Sequence, residues 1–554
     1  MTRQCEVSGA AGLATTMATA ALLLATAACD GDFANERAET KRLVPGAVRL
    51  IGDGVTSCSH QPVAVGGSAD RWCAFTVDET VGMPATLWVL NVSKARTNPV
   101  VCDGSSPHCL RLTTNLWTGE PPFAPSHPYV HGFYGDSLFF YTGPVVEDEA
   151  FTGVIHLWRP GMAAGRELTA ANGIFCFGHD RVAAAVCLSN QTGSGPPETI
   201  EFDLQGGPLG PVPAQLPVLD RVRPFEPDGS LVWGAQFSPT GEHFAFATKV
   251  VDVAPTRGQR PMLRLRAVPT AQLGVAAPTE FVRGMQDWTF SPDGSKLFFL
   301  RNAATTGSGV LMAADFPFGG ASAVELATGV RRFEVYGAVG GPLLGLGLFI
   351  PTGDGLTTFR LMRDINNPAA AITVANGVDN TEVSPDLRYS FFQDAAGADN
   401  ARSVIARNDG SGVLCPLTRN PGQFSFSVRF LPNQRVLFSE DAVVTDQNAI
   451  DRPIEGWVAN PEDCSEGQRY SGDLAYTRPT AGGVLFGEIE KGTFTMSMHH
   501  VPFLPSGLLD LEDISHFATN VDYTSALLDD RLFVYTVPAS SESAPGLFVH
   551  GPLP

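Results

Sequence analysis

Short apolar runs, each bounded by turn-forming residues, recur along almost the whole chain. The sharpest example is Trp288-Thr289-Phe290 and Leu297-Phe298-Phe299-Leu300, separated by Ser291-Pro292-Asp293-Gly294. Proline presets the backbone angle of a turn and glycine supplies the positive φ that a tight hairpin needs. Related phrases stand at Ser238-Pro239-Thr240-Gly241, Ser384-Pro385-Asp386-Leu387 and Leu431-Pro432-Asn433-Gln434. Each precedes a short aromatic or aliphatic segment. The runs are too short for helices and are rich in β-branched and aromatic residues, so they predict strands.

The repeating unit reads as a first strand, the turn, a second strand, a variable loop and a third, alternating strand. Second strands are predicted to begin near Arg71, Ser137, Arg181, His243, Lys296, Pro342, Tyr389, Arg435, Gly483 and Arg531. Third strands are predicted at Leu87–Val92, Ile155–Trp158, Ile200–Leu204, Leu263–Leu265 and Gly546–Val549. Spacing is about 45 to 50 residues in the second half and up to about 65 in the first. Four short strands at such a period mean propeller blades. The 58 Gly and 42 Pro suit a turn-rich all-β chain. The expected fold is a β-propeller, one ring of about 8–10 four-stranded blades, with two smaller propellers as the alternative. The last unit ends on its third strand, and Ala47-Val48-Arg49-Leu50-Ile51 is the candidate to complete it, removing an open edge.

Ser291-Pro292-Asp293-Gly294 with Lys296-Leu297-Phe298-Phe299 resembles the repeat of TolB-like, WD40-like propellers. The resemblance covers most of 45–554 and is strongest at 288–300, then at 236–248 and 383–393. It implies a β-propeller and an exported or periplasmic setting, and no single activity.

The N-terminus reads as a targeting segment to be set apart from the fold. Small apolar residues end at Ala27-Ala28, immediately before Cys29. This resembles a bacterial lipobox and implies diacylglycerol on the Cys29 sulfur. The expected organisation is a lipoprotein signal peptide at 1–28, a flexible stalk at 29–42 and a propeller at 43–554. Setting aside Cys5 and Cys29, eight cysteines remain: Cys58, Cys73, Cys102, Cys109, Cys176, Cys187, Cys415 and Cys464. An even number in an exported chain reads as disulfides, although eight allow 105 connectivities. Proximity in sequence suggests 58–73, 102–109, 176–187 and 415–464. A formal charge of −20 argues against a nucleic-acid surface and a polybasic membrane grip.

No catalytic, cofactor-binding or metal-ligating residue stands out. A Gly-x-Ser-x-Gly elbow is absent, and repeats run to the last residue, leaving no room for an appended hydrolase domain. His499 and His500 are adjacent, so on a strand their rings take opposite faces and do not chelate together. His131, His179 and His550 are scattered. Glu147-Asp148-Glu149 and Asp529-Asp530 read as solvated loop and turn, and Gly340-Gly341 as strand punctuation. Cofactors are expected to be none. The favoured function is a membrane-tethered binding or scaffold protein of the bacterial cell envelope. Its partner would be a protein, peptide or glycan, met by loops 93–128, 142–152, 249–261 and 441–454. The rival is a glycan hydrolase or lyase with its site at the channel mouth, revealed by convergent carboxylates or histidines.

Overall fold

The structure is a computed structural model. It describes residues 42–43, 48–51, 55–60, 70–77, 85–97, 102, 106–116, 130–134, 136–142, 154–169, 173–190, 202–209, 216–222, 234–249, 263–301, 308–317, 323–352, 356–394, 402–412, 414–417, 425–431, 433, 435–441, 454–462, 467–480, 482–489, 495–522, 527–528, 533–537 and 546–550. The signal peptide and Cys29 lie outside the described residues.

The chain is a β-propeller, with ten blades among the described residues. Each blade is an antiparallel meander, its strands numbered here from first to fourth. Blade 1 runs Val55–His60, Trp72–Val77, Ala85–Asn91, Cys109–Leu116. Blade 2 runs Val130–Tyr134, Ser137–Thr142, Val154–Trp158, Arg166–Glu167. Blade 3 runs Gly173–His179, Val182–Asn190, Phe202–Pro208, Val218–Val222. Blade 4 takes Ala235–Phe237, His243–Lys249, Leu263–Pro269 and the first half of Thr279–Phe290. Blade 5 takes its second half, then Lys296–Arg301, Gly309–Asp315, Val324–Val330.

Blade 6 takes Arg332–Tyr336, Gly345–Pro351, Thr357–Met362 and the start of Ile372–Val383. Blade 7 takes the rest of that strand, then Tyr389–Asp394, Arg402–Arg407, Leu414–Pro416. Blade 8 runs Ser425–Phe430, Val436–Asp441, Ile454–Ala459, Gln468–Ser471. Blade 9 runs Leu474–Pro479, Gly483–Ile489, Thr495–Pro502, Ser515–Asp522. Blade 10 has Leu527–Leu528, Phe533–Val537 and Gly546–His550. Its fourth strand is Val48–Ile51, which pairs antiparallel with the third. The strand expected to complete the last blade from the N-terminal side therefore does so. Arg42–Leu43 adds a parallel fifth strand to blade 9, across the expected stalk boundary.

The second strands explain why the apolar runs do not alternate with polar residues. Successive side chains point to opposite faces of a sheet. In blade 5, Leu297 and Phe299 pack toward blade 4, with Ala245, Ala247 and Leu263. Phe298 and Leu300 pack toward blade 6, with Leu346 and Leu348. Both faces are buried, so every position is apolar. Each such side chain stabilises by about 1.5–3 kcal/mol when fully removed from water.

Core clusters of this kind join every successive pair of blades, and the circuit returns to its start. Cys73, Phe75 and Leu90 of blade 1 pack with Val534, Leu547 and Val549 of blade 10. One expectation is corrected: the span 93–128 is not a single loop. It holds the end of the helix Val92–Thr97 and the whole fourth strand Cys109–Leu116, which pairs with the third strand of its blade.

A candidate ligand cleft on blades 6 to 8

The Ser-Pro phrases form the turns between first and second strands, all at one end of the blades. In blade 5 the Ser291 hydroxyl accepts the Lys296 N–H at 2.9 Å and donates to Asp293 Oδ1 at 2.5 Å. Asp293 also accepts the Ser295 N–H at 3.1 Å, and Gly294 takes φ +72°. Burial pushes the Asp293 carboxyl up, but the hydrogen bonds from Ser291 and Ser295 outweigh it and hold it below its ordinary range. Blade 7 repeats the pattern. Ser384 Oγ donates to Asp386 Oδ1 at 2.7 Å and accepts the Tyr389 N–H at 2.9 Å. Leu387, where blade 5 has glycine, takes φ 58° just after Pro385 and Asp386. In blade 4, Ser238 Oγ lies 3.3 Å from Thr240 Oγ1 and accepts the His243 N–H at 3.2 Å, beside Pro239 and Gly241. The serine hydroxyls and their Asp or Thr partners bond within the turn, so these side chains build the end face.

Sequence reasoning missed a set of arginines on the same end. Four of them cross to the next blade and bond a backbone carbonyl there. Arg159 Nη1 donates to Leu209 O at 3.2 Å, and Arg363 Nη2 to Leu387 O at 2.7 Å and Asn408 O at 3.3 Å. Arg407 Nη2 donates to Glu462 O at 2.7 Å, and Arg435 Nη2 to Ser506 O at 3.0 Å. Arg159, Arg363 and Arg407 stand at one topological place, at or just beyond the end of a third strand. That spacing was visible in the sequence. Their partners are carbonyls, which leave no side-chain signature.

Where blades 6, 7 and 8 meet, the arginines converge on a cleft of about 490 Å³ lined by Arg363, Arg388, Tyr389, Arg407, Asp409 and Glu462. Arg388 Nη2 donates to Glu462 Oε1 at 2.8 Å, with both side chains about half exposed, at 52% and 53%. The same guanidinium lies 5.3 Å from the centre of the Tyr389 ring. Its hydrogen bond to Glu462 holds its pKa above the ordinary value. The hydrogen bonds from Ser411, led by its hydroxyl, hold the Asp409 carboxyl below its ordinary range. Asp409 therefore faces the cleft as a carboxylate. Arg363 and Arg407 are fixed by backbone anchors and Arg388 by Glu462, so the charge pattern exists before any ligand arrives.

The innermost strands carry a second polar inventory. On blade 6, Tyr336 donates to Glu334 Oε2 at 2.8 Å, and Arg332 Nη2 lies 3.5 Å from Glu334 Oε1. On blade 7, burial and then the Glu334 charge raise the Glu382 carboxyl, against the pull of Arg429. Burial and the same two acids push Tyr336 far above its ordinary value. On blades 4 and 5 the inner wall is neutral apart from one acid: a hollow of about 370 Å³ is lined by Gln236, Gln286, Asp287 and Thr289 among others.

The described histidines make contacts within the blades. Phe486 stacks on His499, whose Nδ1 is 3.4 Å from Nδ1 of His516, while His500 Nε2 meets Thr480 Oγ1 at 3.2 Å. Among the described residues no group of three or more His, Cys, Asp or Glu could hold a metal ion. His179 packs beside the blade 4 turn, and His550 is buried on blade 10. His131 falls outside the described side chains, and Glu147-Asp148-Glu149 and Asp529-Asp530 outside the described residues. So do the expected partner loops 142–152, 249–261 and 441–454, apart from a terminal strand residue or two.

Cys102 is bonded to Cys109, and Cys176 to Cys187 directly across the first pair of strands in blade 3. Cys73 and Cys415 are also disulfide-bonded. Cys58 and Cys464, proposed as their partners, lie outside the described side chains. Such bonds form and persist in oxidising compartments and mark an exported protein. Among the described residues no helix is long and apolar enough to cross a membrane.

No protein-family model and no curated protein matches the sequence. Among solved structures, the chain is similar to a eukaryotic initiation factor at 11% identity, covering 84% of this chain and 91% of that one, with a TM-score of 0.42. It is similar to the β-propeller domain of the Trilobed protease from Pyrococcus furiosus at 13% identity, 56% and 92% coverage and a TM-score of 0.30. It is also similar to a putative TolB from Agrobacterium tumefaciens at 14% identity, 46% and 83% coverage and a TM-score of 0.26.

Proposed function

We propose that this protein is a binding or scaffold propeller of a bacterial cell envelope, tethered by lipid on Cys29, with its ligand site in the cleft on blades 6 to 8. The observation that carries this reading is the convergence of Arg363, Arg388 and Arg407 from two blades upon Asp409 and Glu462. Binding sites gain affinity when their charged groups are fixed beforehand, because less freedom is lost on association. Here Arg363 and Arg407 are each pinned through one nitrogen to backbone of the next blade. A pull-down with the exported body, residues 42–554, against solubilised envelope tests the reading. A partner retained by the native body and lost with Arg363→Met supports it. Recovery unaffected by any cleft substitution sinks it. Tethering is checked separately by labelling with radioactive fatty acid, which Cys29→Ser should abolish.

A second reading, a glycan-cleaving enzyme, draws on the inner wall of blades 6 and 7. Two carboxylates in unlike environments are the usual acid and base of glycoside hydrolysis. Glu382, raised by burial and by Glu334, would be the acid. Glu334, bonded by Tyr336, would be the base. Release of reducing sugar from envelope glycans, abolished by Glu382→Gln, would favour this reading over binding alone.

A further inference from the structure

The lining of the blade 6 to 8 cleft limits what it can hold. Resting on the reading of that cleft as the ligand site, we infer that its ligand is a monocarboxylate bearing several hydroxyl groups, the chemistry of a sugar acid. The argument is one of charge and of donor and acceptor type. The wall carries three guanidinium groups and two carboxylates, an excess of one positive charge in a chain of net −20. A single anionic group restores neutrality. A phosphate or sulfate dianion would overshoot and would meet Asp409 and Glu462 at close range. A zwitterion would leave the excess uncompensated.

The three cations are not equivalent. Arg388 is already satisfied by Glu462 at 2.8 Å. Arg363 uses only Nη2 for its backbone anchors, and Arg407 uses Nη2 for Glu462 O. Both arginines line the same cleft. Nη1 of each is not used by these anchors and can donate to a carboxylate. Asp409 and Glu462 supply acceptors only, and acceptors call for O–H or N–H groups on the ligand. Every other lining residue is charged except Tyr389, whose hydroxyl accepts from Arg388 Nη2 at 3.3 Å. A polyhydroxylated acid uses each of these features at once: its carboxylate meets Arg363 and Arg407, and its hydroxyls donate to Asp409 and Glu462.

The test is calorimetric titration of the exported protein with sodium glucuronate, glucose, acetate, glycine and inorganic phosphate. Glucuronate should bind at least about tenfold more tightly than any of the other four, since a charge-assisted hydrogen bond and its neighbours each contribute a factor of this order. Arg363→Met and Arg407→Met should each weaken glucuronate roughly tenfold or more. Asp409→Asn should weaken glucuronate while leaving acetate unchanged. Asp409 is exposed and bonded within its own turn, so this variant keeps the assay informative even if an arginine variant unfolds. Glucose binding as tightly as glucuronate, phosphate binding most tightly, or no titrant binding would each overturn the inference. The reading beneath it fails differently: glucuronate would bind with an affinity that none of the three variants changes. A partner from the envelope pull-down that depends on Arg363, with no glucuronate binding, would leave the cleft standing and remove the sugar acid.

Discussion

Blades 5 and 6 use the same slot, the link between first and second strands, in opposite ways. In blade 5 the link closes on itself: Ser291, Asp293 and the Ser295 and Lys296 amides satisfy one another within six residues. In blade 6 the link, residues 337–344, has no serine or aspartate and reaches outward. Gly340 N–H donates to Pro292 O at 2.7 Å in blade 5, and Gly340 abuts the Arg181 guanidinium of blade 3. Blade 9 offers a third solution, in which Thr480 of the link meets His500 of its own third strand at 3.2 Å. A propeller fixes where a turn must go, while leaving open whether its polar groups are satisfied by the turn, by a neighbour or by a titratable side chain. The three solutions should fail under different insults.

The largest effect should come from Gly337→Ala. Gly337 takes φ +148°, and an added Cβ would stand 2.6 Å from the Pro342 carbonyl oxygen and 2.7 Å from Pro292 Cγ. Backbone cannot step aside as a flexible side-chain end can, so strain and collision add. A loss of about 3–4 kcal/mol in urea unfolding is expected. A loss below about 1 kcal/mol would mean that the blade 6 link is pliable and not locked against blade 5.

The blade 9 link should respond to acid. Burial drives the His500 pKa down to about 4, with Asp513 opposing it. Its Nδ1 is buried without a hydrogen-bond partner, so a proton there would have no acceptor. The unfolded chain therefore takes up this proton more readily than the folded one. The contribution is complete above pH 6.5, is lost as pH falls from about 6.5 to about 4, and is level below that. The loss over this window is up to about 3 kcal/mol. Unfolding measured at pH 7 and pH 4.5 should differ less in His500→Gln than in the native protein. An identical difference would remove His500 as the cause.

The sequence made the ring legible because its second strands are buried on both faces. An uninterrupted run such as Leu297 to Leu300 fits only a strand packed between two neighbours, and all ten such runs are second strands. A boundary drifted where glycine and proline opened the strand: the run expected from Pro342 begins at Gly345. The cleft was not legible. Arg363, Arg388, Arg407 and Glu462 are scattered in sequence, up to 99 residues apart by number, and the anchors of Arg363 and Arg407 are backbone carbonyls. Charge on a loop reads as a solvated surface until the neighbouring blade is in place. The blade 6 link was misread for a related reason. Gly340-Gly341 looks like punctuation between strands, whereas Gly340 is a point of contact with two other blades.

The closed turns should show a graded response to losing their hydroxyl. Ser291→Ala removes an acceptor for the Lys296 amide and a donor to Asp293, in a residue only 1% exposed. A cost of about 1–2 kcal/mol is expected. Ser238→Ala in blade 4 should cost less, because its corresponding distances are longer, at 3.2 and 3.3 Å, and Thr240 replaces the carboxylate. Equal losses at the two sites would show that the aspartate adds nothing to the turn.

The smallest and most discriminating effect concerns Gly340. It takes φ +79°, where an alanine costs roughly 1 kcal/mol for the backbone alone. An added Cβ would also lie 2.8 Å from Arg181 Nη1, but that is the far end of an exposed, flexible side chain that can swing away. If the strap is held by its amide bond to Pro292, Gly340→Ala and Arg181→Ala should be independent, with a coupling below about 0.5 kcal/mol in a double-mutant cycle. If Arg181→Ala instead restores most of what Gly340→Ala loses, the contact with blade 3 is tight enough to matter. The blade 6 link would then tie blades 3, 5 and 6 together across one end of the ring, and the contrast with the self-contained turn of blade 5 would be one of reach and not only of chemistry.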